Sequence, residues 1–261
     1  MSFPSALYKN PVLLDRNEHR GKRIKQVADF SAAREMNAVF VNVVEFADCA
    51  KEFPVAFLAS PGPDADSKPV VNPVVLLGLR EAENLFVEGT RWDARYIPAF
   101  VRRYPLAYAK SAEDRVSVVV DAAWPGFNDR EGELLVDDKG EATEYLKKYM
   151  AFLDEFEREA GRTRTFCEQL VELDLLRGAE VNGQLAEGVP LKVEGFFAVD
   201  EQRLLALPDA KLLELVKSGA LALIHAHMLS MGNVQRLFER LAPRVQDLAA
   251  AAPAAATPAA A

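Results

Sequence analysis

Residues 219–233, GALALIHAHMLSMGN, hold two of the chain's three histidines one residue apart inside an apolar run. As a strand, this stretch would turn His225 and His227 to one face, where they could share a metal ion. As a helix it would set them about 200° apart, because each residue turns about 100°. The apolar positions decide between the two. Leu221, Ile224, Met228, Met231, Val234, Phe238 and Leu241 recur every three or four residues, which predicts one amphipathic helix over 221–241. A metal would need further ligands, and no Asp or Glu follows the pair until Glu239. No metal site is expected. His225 and His227 stand as an alternative polar site, their rings satisfying local hydrogen bonds.

Upstream of this helix, LPDAKLLELVKSG predicts another, with Asp209 near its start and Gly219 at its stop, and Asp200 caps a short turn before it. Tyr145, Tyr149, Phe152 and Phe156 form a helical stripe behind a Thr143 N-cap. Beyond Gly161 the spacing of Phe166, Leu170 and Leu173 predicts a second helix or a kinked extension. Between these helices lies a hairpin with Asn182-Gly183 as its turn. The first half has a different period. NAVFVNVVEFADCAKEFPVAFLAS reads as strand, short helix over 46–52, and strand from Pro54. SPGPDADSKP is a polar loop. Two further hairpins follow, and Pro73 pushes its part of one strand toward a sheet edge or bulge. The pattern predicts an α+β fold, antiparallel sheet mainly in the N-terminal half and helices concentrated in the C-terminal half. Residues 1–247 are expected to form one domain, followed by an Ala/Pro-rich disordered tail over 248–261.

With 261 residues, 50% of them hydrophobic and 27% charged, the chain can bury a substantial core. The net charge of −8 argues against binding nucleic acid. No apolar run approaches the roughly 20 residues that span a bilayer, and the N-terminus lacks the pattern of a secretory signal. A cytoplasmic location is therefore expected. Cys49 and Cys167 have no CxxC spacing and no adjacent histidine, so they read as structural thiols. No phosphate loop or Gly-x-Ser-x-Gly elbow is present, and no cofactor is expected. Asp129, Glu131, Asp137 and Asp138 lack the spacing of a calcium loop.

The densest cluster of chemistry-bearing residues is RWDARYIPAFVRRYPLAY. A helix over 94–103 would turn Ile97, Val101 and Tyr104 inward and stack Arg95 and Arg102 on one face. Guanidinium forks suit carboxylates. Two readings stand: a helix whose arginines pair with the protein's own acidic surface, or a site for an anionic partner, in which case Trp92, Arg95, Tyr96, Arg102 and Arg103 are the candidate partner-binding residues and the expected partner is an acidic protein or peptide.

YKNPVLLDRNEHRG, NAVFVNVVEF, FPVAFL, LLGLREAENLFV, RWDARYIPAFVRRYP, RTFCEQLVELDLL and GFFAVDEQRLLALPDAKLLELVKSGALALIHAHMLSMGN together resemble the bacterial SapC family, from about Tyr8 to Leu241. The resemblance is not to the peptide-transporter permease of the same name, which spans membranes. It implies a surface-layer locus, in the neighbourhood of outer-membrane receptors and flavin-dependent halogenases, and carries over no catalytic residues. The expected role is a soluble accessory or binding protein of surface-layer or envelope function. The alternative is an enzyme acting on a peptide or small molecule, which a closed polar pocket pairing His225 or His227 with a carboxylate would favour.

Overall fold

The computed structural model describes residues 7–61, 69–110, 116–184 and 190–251. Along the chain run β1 (Pro11–Leu13), β2 (Arg23–Ile24), β3 (Ala38–Phe40), α1 (Phe46–Cys49), β4 (Val55–Ser60), β5 (Val70–Leu76), β6 (Val87–Glu88) and β7 (Arg91–Trp92). Next come α2 (Ala99–Arg102), β8 (Leu106–Lys110), β9 (Val116–Asp121), β10 (Phe127–Asn128), β11 (Glu133–Leu134) and α3 (Glu144–Glu172). The remainder is β12 (Leu176–Gln184), β13 (Pro190–Val199), α4 (Glu201–Leu205), α5 (Asp209–Ser218), α6 (Ala220–Ser230) and α7 (Val234–Ala251).

The main sheet has the order β12-β13-β4-β5-β3, and a smaller one the order β1-β9-β8. Every pairing is antiparallel. Antiparallel strands lie mostly in the first half and the larger helices in the second, as the change of period predicts. Pro73 sits inside β5, between β4 and β3. Its carbonyl accepts from Val41 on the β3 side, so its nitrogen faces that side too, one residue beyond the last β3 pair, Phe40–Val74. The missing donor therefore falls at the end of the β3 ladder, although β5 itself is an inner strand and not the expected edge.

α3 is one continuous helix through Gly161, undivided. Thr143 caps it, its Oγ1 accepting from Leu146 N at 3.3 Å. Leu146 and Leu153 pack on the smaller sheet with Leu106 and Val120, while Phe166 and Leu170 join the main core. A single helix thus ties both hydrophobic clusters together.

Asp200 caps α4 through bonds from the Gln202 and Arg203 amides. Gly219, at φ +79°, ends α5 in a left-handed conformation that suits glycine. The expected 221–241 helix is divided. A 3-10 turn at Met231–Asn233 separates α6 from α7, and Asn233 Nδ2 donates to the Ala50 and Phe53 carbonyls at 2.8 and 3.3 Å. That side chain fixes the break by satisfying the carbonyl end of α1. α7 reaches Ala251, four residues into the stretch expected to be tail, and 252–261 lie outside the described residues. Asn182 and Gly183 are not a turn but strand residues opposite Lys192 and Leu191. The SPGPDADSKP loop falls largely outside the described residues.

Among the described residues no single helix is long and apolar enough to cross a membrane. The stretches Asp209–Ser218 and Ala220–Val245 reach that composition only together, across an 86° bend.

Candidate functional site

Two buried carboxylates organise the arginine-aromatic segment. Glu45 accepts from Tyr96 Oη at 2.8 Å and Ala99 N at 2.7 Å on Oε1, and from Asn42 N on Oε2. Glu52, just past α1, accepts from Arg95 N at 2.9 Å and Tyr96 N at 3.0 Å on Oε1. These amides are held by side chains rather than by carbonyls four residues back, and Pro98 supplies no amide at all. The helix expected over 94–103 is therefore confined to Ala99–Arg102.

The shortened helix redistributes the candidate residues. Trp92 is buried, its Nε1 donating to the Tyr96 carbonyl at 2.9 Å. Arg103 is buried as well, stacked 4.1 Å from the Phe100 ring centroid and 4.8 Å from that of Phe156. Its Nε has no hydrogen-bond partner, and burial lowers its pKa. Neither Trp92 nor Arg103 can present itself to a partner, a correction to the expected five-residue surface. Arg95 and Arg102 are exposed and Tyr96 half-buried, and Tyr96 links the two. The Arg102 guanidinium lies 5.6 Å from the Tyr96 ring and 5.5 Å from Phe152, with Nε donating to the Ile97 carbonyl at 2.9 Å. Stacking and that bond pre-order Arg102, and its Nη2 also donates to Tyr96 Oη at 3.4 Å, which leaves Nη1 as the uncommitted end of the fork.

Arg95 shares with Tyr96 a cleft of ≈ 500 Å³ lined by Asp48, Lys51, Glu52, Arg95, Tyr96 and Arg236. Lys51 pairs with Asp48 at 2.7 Å, and Arg236 approaches Glu52 at 3.8 Å. Among the described residues no carboxylate lies within ion-pair distance of the Arg95 guanidinium. Lys51 and Arg236 escaped the sequence reading because they come from the end of α1 and from α7. The only available signal was the i, i+4, i+8 spacing of Arg236, Arg240 and Arg244. Arg240 binds Asp93 at 2.8 Å and Arg244 the Asn84 carbonyl at 3.0 Å, so this row of arginines fastens α7 beside the cleft.

The histidines separate as a helix demands. His225 is exposed and His227 buried. His227 does not bond locally: Nδ1 donates to the Val55 carbonyl at 2.7 Å, and Nε2 accepts from Val199 N at 3.0 Å. That pattern fixes the neutral ring, and burial lowers its pKa to about 4. Ser230 Oγ accepts from Val55 N at 2.8 Å. With both ring nitrogens committed to backbone, His227 has no free position for acid-base work, and it lines neither the Arg95 cleft nor the cleft beside Cys167. Among the described residues no group of three or more His, Cys, Asp or Glu side chains is placed to hold a metal ion.

A larger cleft, ≈ 560 Å³, lies between β5 and α3 with Val70, Val71, Cys167 and Val171 on its walls. Its surface is mainly apolar, with Arg164, Glu168 and Glu172 also on its walls, and burial raises the Cys167 thiol to about 12, which leaves it protonated and inert at neutral pH. Burial likewise raises the pKa of Cys49. The Arg95 cleft is smaller but carries convergent charged groups, one of them uncommitted.

Searches of curated proteins and of solved structures each found no match. The SapC family model matches residues 14–237, most of the chain and all of the elements around the Arg95 cleft except the end of α7. The chain belongs to the SapC family.

Proposed function

We propose that this protein is a soluble, cytoplasmic accessory protein of surface-layer or envelope function, and that it binds an acidic segment of a protein or peptide partner. Arg95, Tyr96 and Arg102 form the gripping face. The observation that carries this reading is the uncommitted Arg95 guanidinium at the mouth of a ≈ 500 Å³ cleft, one tyrosine away from the pre-ordered Arg102 fork. An exposed guanidinium without an internal partner contributes little to stability, yet it supplies a planar pair of donors to an incoming carboxylate. The protein's overall negative charge repels acidic partners at long range, so attraction has to be local and short-ranged. The test is affinity capture from the native host at increasing salt. The reading requires that a specific partner be retained at low salt and released as the screening length shrinks below about 8 Å. Retention that does not depend on salt would contradict it.

A further inference from the structure

The free donors around the Arg95 cleft point to a more specific ligand. Lys51, Arg95 and Arg236 face it with three cations, against the carboxylates of Asp48 and Glu52. One kind of phosphate site is built from backbone amides at a helix N-terminus or a nest, another from arginine clusters. Here the amides of Arg95 and Tyr96 are already bonded to Glu52, and those of Lys51 and Glu52 to the Asp48 and Cys49 carbonyls. What remains free is side-chain donors: the whole Arg95 fork, two Lys51 ammonium hydrogens, and Arg236, whose nearest carboxylate oxygen is at 3.8 Å. Glu52 cannot swing away, since its oxygens hold two amides, so its charge stays in the cleft. Three cations against two carboxylates leave the cleft one net positive charge; attraction to it grows linearly with ligand charge, while the cost of desolvating the ligand grows with its square, so a monoanion suits the cleft better than a dianion. The volume of ≈ 500 Å³ exceeds what one carboxylate needs and falls in the range of small-ligand pockets.

We propose that Lys51, Arg95 and Arg236 form a pocket for a carboxylate side chain of an acidic peptide segment, and that this pocket disfavours phosphate. The inference rests on the partner-binding reading above. It adds Lys51 and Arg236, from two other segments of the chain, and it fixes the charge state of the ligand. Arg95 supplies the bidentate contact, while Lys51 and Arg236 flank it.

The test uses the full chain and a fluorescein-labelled acetyl-hexaglutamate peptide, followed by anisotropy, beside the same peptide with one central Glu replaced by phosphoserine. The hexaglutamate peptide should bind saturably. Lys51→Gln and Arg236→Gln should each weaken it about fivefold, the equivalent of about 1 kcal/mol, and Arg95→Glu should abolish it. The phosphoserine peptide should bind no more tightly. Because Arg236→Gln could loosen the Glu52 contact, Arg236→Lys serves as the second variant, and it should retain binding to within about twofold. Loss with Arg95→Glu but none with Lys51→Gln or Arg236→Gln would overturn the pocket and leave the partner face standing. Tighter binding of the phosphoserine peptide would overturn the carboxylate assignment. Absence of hexaglutamate binding would also overturn the pocket, and the partner-binding reading would then stand or fall on capture of the native partner.

Discussion

His227 donates from Nδ1 to the carbonyl of Val55 at 2.7 Å, although 172 positions separate them in the chain. β13 and β4 pair directly only at Phe197 and Phe57. Two residues further along, where Val199 would face Val55, the imidazole stands between the strands and relays the ladder, taking the Val199 amide on its other nitrogen. Ser230, one turn along α6, takes the Val55 amide. The helix therefore completes the sheet at a gap in its hydrogen bonding.

A pH dependence follows from that relay. The folded pKa of His227 is lowered to about 4 from a model-compound value of 6.5, so the unfolded chain takes up a proton on this residue that the folded chain refuses. Stability from this source is complete above about pH 6.5 and is lost as pH falls toward 4. Over that window the loss is about 3 kcal/mol. Urea unfolding from pH 7 to 4 should show a steeper decline for the wild type than for His227→Gln. Parallel declines would mean that the ring is accessible to protons in the folded protein.

Removing the serine tests the same seam without a charge. Ser230→Ala leaves the buried Val55 amide without its acceptor and should cost about 1–3 kcal/mol in chemical denaturation. His225→Ala, on the exposed face of the same helix, should stay within about 0.5 kcal/mol. Equal costs for the two would contradict the placement of the helix.

Glu52 is the internal template for the Arg95 loop. Glu52→Ala strands the Arg95 and Tyr96 amides and removes the carboxylate beside Arg236, so it should destabilise the protein by about 2–4 kcal/mol. Glu52→Gln keeps one acceptor oxygen and should cost less. Thermal melts of the two variants, side by side, measure the difference.

The elements legible in the sequence are those set by neighbours close in the chain. The α3 stripe, the caps at Thr143 and Asp200, and the stop at Gly219 each depend on residues within a few positions. What was not legible depends on distant donors and acceptors. The 94–103 segment has helical spacing, but Glu45 and Glu52, more than forty positions upstream, take its amides. The long C-terminal helix breaks because Asn233 reaches back to Ala50. For the same reason the candidate site was found only in part. Arg102 stacks on Tyr96 and Arg95 shares a cleft with that tyrosine, whereas Trp92 and Arg103 turn inward and Lys51 and Arg236 arrive from elsewhere.

The central claim is that the face made by Arg95 and Arg102 binds an acidic partner. Its most direct test is affinity capture from the native host with three baits: wild type, Arg95→Glu/Arg102→Glu, and Lys211→Glu, a charge reversal at an exposed position on α5. Arg95→Glu alone should leave stability within about 0.5 kcal/mol. Arg102→Glu should cost about 1 kcal/mol through the lost stacking on Tyr96 and Phe152, so the double variant remains folded. The account predicts that wild type and Lys211→Glu retain the same partner and that the double variant loses it. Retention of that partner by a folded Arg95→Glu/Arg102→Glu variant would contradict it.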